Sequence, residues 1–165
     1  MSAQDNASEL RRLHSDVFWT EKGHFTMAGI WRFAHLAIGV IATVGAALAS
    51  AGTIAELQPV INASAALVAA MAAGLLTFLK PDEVAERHSS AGRRLGELRV
   101  ELRQTHNLDV PLGATPELRK RIAVFAQRKV EIDDQAPHLA NLAVRRVEKR
   151  KARGDYGHED ELKPS

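Results

Sequence analysis

Between Phe33 and Leu79 the chain has a single formally charged side chain, Glu56. Its other residues are densely charged: residues 1–32 carry four basic and four acidic side chains, and residues 80–165 carry eighteen and fifteen. This partition constrains the fold more than any average does, because an uncharged stretch of that length needs an apolar surrounding on all sides. The stretch divides at Glu56-Leu57-Gln58-Pro59 into an apolar run from Ala34 to Ala55 and another from Val60 to Leu79. At about 1.5 Å of rise per residue each run makes a helix of about 30 Å, the thickness of a bilayer's hydrocarbon core. Pro59 suits the first turn of the second helix, where its missing N–H would have no intrahelical partner, and Glu56 and Gln58 form a loop tip that stays in water.

The competing arrangement is a helix pair buried inside a soluble bundle. That needs many amphipathic helices around it, and the rest of this chain supplies only three or four. Leu36, Ile38, Val40, Ile41, Val44, Leu48 and Ile54 favour membrane insertion of the first run by a few kcal/mol in total, at about −0.3 to −0.6 kcal/mol each. The expected architecture is an all-α membrane protein. An N-terminal amphipathic helix (1–32) leads into a transmembrane hairpin (33–80, with helices about 34–55 and 60–79 and a loop at 56–59). Cytoplasmic helices follow (81–154), and then a disordered tail (155–165).

About thirty polar residues precede the first apolar run, which is not the layout of a secretory signal, so the run is expected to remain in the mature protein. Basic residues flanking a span stay on the cytoplasmic side. Lys22 and Arg32 precede the hairpin, Lys80, Arg87, Arg93 and Arg94 follow it, and the loop has none. Both termini are therefore expected in the cytoplasm, with the protein multi-pass in the inner (plasma) membrane. Trp31 and Phe33, with His35 just inside, fit the interfacial zone, where His35 is expected as an interfacial residue rather than a ligand. The chain has no cysteine, which excludes disulfides and thiolate chemistry.

Lipid supplies no hydrophobic drive between helices, so close contact inside a bilayer depends on small residues. Ala66, Ala70 and Gly74 share one face of the second helix, and Gly45 with Ala49, or Ala46 with Ser50, do so on the first. One helix pair needs one such face per helix; the surplus points to packing against further copies, a homo-oligomer. The polar side chains within the runs are Thr43, Ser50, Thr53, Asn62, Ser64 and Thr77. Asn62 and Ser64 either line a hydrated path near the loop, or simply lie at the interface or bond back to their own helix.

Beyond Pro81, the residues Val84, His88, Ala91, Leu95, Leu98, Leu102 and Thr105 recur at spacings of four and three, a coiled-coil-like seam for another helix. His88 on that seam is expected to be packed and hydrogen-bonded. Thr115-Pro116-Glu117 is an N-cap and first turn, opening a helix with Leu118, Ile122, Phe125 and Ile132 on one side. Pro137 is expected to open a further helix that Gly154 ends. Upstream, Leu10, Leu13, Val17 and Phe18 form an amphipathic stripe in a helix that can run unbroken into the membrane. Arg145, Arg146, Lys149 and Arg150 are candidate contacts for anionic lipid or an anionic ligand, against the plainer reading of a solvated helix end. No glycine-rich phosphate loop, nucleophile elbow, cofactor motif or metal-ligand spacing is present, so no enzyme is expected. Direct nucleic-acid binding is not expected either, for want of an aromatic stacking platform.

The polar helix with tryptophan, the two spans rich in small residues, and "LLTFLKPDEVAERHSSAGRRLGELRVEL" after them resemble the SLATT family, two-transmembrane domains of bacterial and archaeal conflict systems. The resemblance covers roughly residues 8–145. Its most specific residues are Thr77-Phe78-Leu79 followed by Ala85, His88, Gly92, Leu98 and Glu101, with Leu95 where many relatives carry a tyrosine. The resemblance implies a pore-forming effector, an ion channel in antiviral defence, triggered by a sensor or a nucleotide second messenger. With no fused sensor in this chain, the signal is expected from a separate protein or a small ligand at the cytoplasmic helices. From another class comes a membrane-anchored adaptor, whose hairpin only tethers a helical partner-binding module.

Overall fold

The computed structural model describes residues 3–55, 58–157 and 162. Among these residues the chain is helical and contains no strand: α1 (Ala3–Ile54), α2 (Pro59–Leu79), α3 (Pro81–Leu108), a short 3-10 turn (Val110–Leu112), α4 (Pro116–Gln135) and α5 (Asn141–Ala152). Two of the helical stretches are long and apolar enough to cross a membrane, one within α1 and one that begins at Pro59. The amphipathic start and the first apolar run belong to one helix of 52 residues, without a break near residue 33. The chain folds as two compact units, residues 1–28 with 87–165, and residues 29–86.

In the first unit the start of α1 packs against α3 and α4. Leu10, Leu13 and Val17 of α1, Leu95, Leu98 and Leu102 of α3, and Leu118, Ile122, Phe125 and Ile132 of α4 form one buried cluster, which Val110 joins from the 3-10 turn. These residues recur at helical spacings of three, four or seven positions, so each helix turns one apolar stripe inward and most of its charges outward. Ion pairs hold α4 outside the core: Arg128 grips Glu101 of α3 through both oxygens, at 2.5 and 3.1 Å, and Arg121 pairs with Asp109, just past the end of α3. Arg94 donates to Gln135 at 2.7 Å. The start of α4 is as the sequence implies: the Thr115 hydroxyl accepts from the Leu118 N–H, with Pro116 in the first turn.

The helix expected to open at Pro137 begins instead at Asn141. The proline disfavours helical backbone at the residue before it, and Ala136 is extended (φ −82°, ψ 148°), which ends α4. The intervening residues form a linker whose Leu139 covers Gly23 of α1; a Cβ on that glycine would lie 2.9 Å from the leucine. Helix α5 then buries Ala143 and Val147, and Gly154 lies past its end with a positive φ of 75°. Residues 155–157, expected to belong to a disordered tail, form a turn. Within it Tyr156 stands edge-on to Phe18 and Trp19, and Leu162 is also buried. The rest of the expected tail lies outside the described residues.

In the second unit the apolar part of α1 packs on α2. They approach closely at Gly45, where a Cβ would stand 3.1 Å from the Cβ of Ala69 and 3.2 Å from the carbonyl oxygen of Ala65. Within both apolar runs the buried residues are Gly45, Gly52, Ala69 and Ala72. Helix α2 gives way to α3 at Lys80, which has left-handed backbone (φ 43°, ψ 56°). Pro81 has no N–H to continue the helical ladder, and the Lys80 side chain donates to Glu83 at 2.7 Å.

Candidate functional site

Two features of the molecule call for a functional reading: the outer surface of the apolar helix pair, and a stripe of buried polar side chains in the first unit.

The apolar pair is packed by its smallest residues and exposes its largest. Phe33, Leu36, Val40, Val44, Leu48, Ile54, Val60, Leu67, Met71, Phe78 and others are all exposed. In water this surface would cost on the order of 25 cal/mol per Å² of apolar area left uncovered. The core helix of a soluble protein has the same length and apolarity but is mostly buried, whereas 6% and 11% of the two apolar windows are buried. The polar groups follow the same logic. The hydroxyls of Thr43, Thr53, Ser64 and Thr77 each donate to a carbonyl three or four residues back in their own helix. That satisfies them without water.

Gly45 is buried at the contact and Ala49 is half-buried. Ala66, Ala70 and Gly74 are not the residues that meet α1; Ala66 and Ala70 are exposed, and a Cβ on Gly74 would meet nothing within 4 Å. The α2 residues that meet Gly45 of α1 are Ala65 and Ala69, one position removed in register from Ala66 and Ala70, and Ala72 is buried as well. Asn62 and Ser64 line an open groove of about 520 Å³ with Val40, Ile41, Val44, Leu48, Ile61 and Val68. Gln58 is exposed, and Glu56 lies outside the described residues.

In the first unit the α1 stripe of Leu10, Leu13 and Val17 continues at the same spacing through Glu21 and His24, both buried. Nδ1 of His24 lies 2.9 Å from Nδ1 of His88 on α3. Two nitrogens that close require one proton between them, so one ring carries its proton on Nδ1 and the other on Nε2. Burial pushes the His24 imidazole down to about 4; His88 adds to the effect and Asp133 opposes it. Burial lowers His88 as well. The pair is a neutral, single-proton hydrogen bond near pH 7.

One turn away, the buried Glu21 carboxylate meets Arg99 at 3.0 Å and Lys22 at 3.7 Å. Both cations also lie over the Phe18 ring, at 5.3 and 4.9 Å. Asn6 is fully buried, and among the described residues neither polar atom of its side chain has a hydrogen-bond partner. Among the described residues no group of three or more His, Asp or Glu stands close enough to hold a metal ion.

The seam residues His88, Leu95, Leu98 and Leu102 are buried and Val84 is half-buried. Ala85 is buried, and the other four motif residues of α3 each have a structural task. His88 bonds to His24, Leu98 is in the core, and Glu101 holds Arg128. Gly92 lets the Phe25 ring approach to 3.0 Å from where a Cβ would be. Of the basic candidates, Arg145, Arg146 and Lys149 are exposed. Arg150 pairs with Asp155 at 3.3 Å and lies over the Tyr156 ring.

The sequence reading missed His24, Glu21 and Asp133. The signal for the first two was present in the unbroken spacing 10, 13, 17, 21, 24. It was obscured because a glutamate and a histidine count as polar wherever they stand. No family model matches the chain, and no curated protein or solved structure matches it.

Proposed function

We propose that the chain is a homo-oligomeric effector of the membrane, non-enzymatic, whose helix pair spans the bilayer as a hairpin with both termini in the cytoplasm. Copies assemble to open a pore or disturb the lipid under control of the helical unit 1–28 with 87–165. One observation carries the reading: the apolar pair keeps glycine and alanine inside and turns its leucines, valines and phenylalanines outward, the arrangement that suits lipid and fails in water. The exposed small residues Ala66, Ala70 and Gly74 give a second copy a face to approach closely. The likeness of residues 75–102 to the SLATT pattern supports a role in a prokaryotic conflict system, with a separate sensor or a nucleotide second messenger as trigger.

The test is ion flux from liposomes that contain the purified protein. Flux that appears with protein dose and disappears in Gly74→Leu supports a pore. Sealed vesicles in every oligomeric state, with and without candidate nucleotides, count against it.

A second reading has an observation of its own. Because the hydroxyls of Thr43, Thr53, Ser64 and Thr77 are turned back onto their own helices, one copy offers little polar lining for a water path. That favours a membrane anchor for a partner-binding module. Replacement of the helix pair by an unrelated two-span anchor, with function retained, would decide for the adaptor.

A further inference from the structure

Helix α5 is fastened by one side and bare on the other. Ala143 and Val147 are buried, Lys151 lies over the Trp19 ring at 4.2 Å and Arg150 over Tyr156 at 5.1 Å. On the outward side stand Arg145, Arg146, Lys149 and Arg153, all exposed, with Leu142 among them at 57% exposure. At about 100° per residue these five fall within about a third of the helix circumference. The helix's one acidic residue, Glu148, falls outside that arc and lines a groove with Trp19 and Val144. None of the four cations has an ion pair among the described residues. A merely solvated helix face would mix its signs, as the exposed side of α4 does with Glu117 beside Lys120.

We propose that this face of α5 docks on the anionic phospholipid headgroups of the leaflet in which the apolar pair is embedded. The inference rests on the membrane reading above and adds a partner to it. Charge complementarity selects the occupant: four cations around one exposed leucine match a headgroup layer with acyl chains beneath it. Each cation near an anionic leaflet shifts the docking equilibrium about fivefold, so the four together shift it by on the order of a few hundredfold. The apolar pair tethers the chain to the bilayer, so this modest attraction acts at high effective concentration.

The chain has no cysteine, so one introduced thiol can carry a fluorophore. Ala152→Cys puts it at the edge of the basic arc and Val144→Cys on the other side of the helix. The full chain is placed in phosphatidylcholine vesicles and in vesicles that also contain phosphatidylglycerol, each with a nitroxide quencher at headgroup depth. The expected result is strong quenching at position 152 in the anionic vesicles only, weak quenching at 144, and loss of the effect at high salt. The same loss is expected in the fourfold variant R145Q/R146Q/K149Q/R153Q. Equal quenching at 152 in both vesicle types, or anionic quenching that survives in the fourfold variant, overturns the inference. Retention of the protein after alkaline extraction keeps the two questions apart. A protein retained but blind to lipid charge overturns the docking alone; a protein stripped from both vesicle types overturns the membrane reading and the docking with it.

Discussion

Leu98 and Leu48 are the same side chain on helices of the same chain, yet the first is 0% exposed and the second 60%. Leu98 belongs to the unit of residues 1–28 with 87–165, where large apolar residues face inward and charged ones outward. Leu48 belongs to the unit of residues 29–86, where glycine and alanine are inside and the large residues outside. Helix α1 contains both patterns in succession, an amphipathic stripe up to His24 and Ala28, then residues apolar on every side. On the membrane reading proposed above, the contrast teaches that burial follows the solvent rather than the residue type. Water drives leucines together, whereas lipid is indifferent to them and leaves close packing to decide which residues meet.

The largest expected break in this contrast comes from truncating one leucine on each side of it. Leu98→Ala should lower the unfolding free energy of its unit by about 3 kcal/mol, the usual cost of a cavity in a closed core, while Leu48→Ala should leave stability in detergent nearly unchanged. Thermal unfolding followed by tryptophan fluorescence measures both; equal losses would mean that the apolar pair has a closed core of its own.

Acid should act on one unit and spare the other. The folded chain keeps His24 neutral down to about pH 4, whereas an unfolded histidine takes up its proton near pH 6.5. Between those values the unfolded state binds more protons, so stability is complete above about pH 6.5 and falls as the pH drops toward 4, by up to about 3 kcal/mol. His88, lowered in the same direction, adds to the slope in the same window. A denaturation series from pH 8 to pH 4 should show this decline in the wild-type chain and a flatter one in His24→Phe.

A smaller effect is expected at the apolar pair's own contact. Gly45→Leu must push against Ala69 and the Ala65 carbonyl and should cost about 1–3 kcal/mol as overpacking. Gly74→Leu meets open space and should leave the pair's stability intact while altering the particle size seen by light scattering, if copies pack on that face. Least of all, Lys80→Gly should be neutral or stabilising by up to about 1 kcal/mol. The left-handed backbone there suits glycine, and the exposed link to Glu83 that it forfeits is worth little.

Much of this was legible in the residues. The two apolar runs, the α3 seam and the Thr115 cap could each be read from composition, spacing and one turn signal, all of them local. The start of α5 could not, because Pro137 suits a first helical turn and a helix-ending linker equally well, and Leu139 had first to find Gly23. Tyr156 likewise read as tail until its ring met Phe18 and Trp19. The pairing of His24 with His88 spans 64 residues, and no local pattern specifies which partner a buried histidine will meet.

From the sequence alone comes the division of the chain into charged and uncharged parts, and with it the all-helical class and the two stretches fit for lipid, because hydrophobicity and helical period are properties of consecutive residues. Only the tertiary structure decided which small residues touch, that Gly45 meets Ala65 and Ala69 while Ala66, Ala70 and Gly74 face away. It alone decided which polar groups share a proton and which side of α5 is left bare. Those outcomes depend on the register between helices, which is set by packing and close approach across long separations in the chain rather than by any stretch of it.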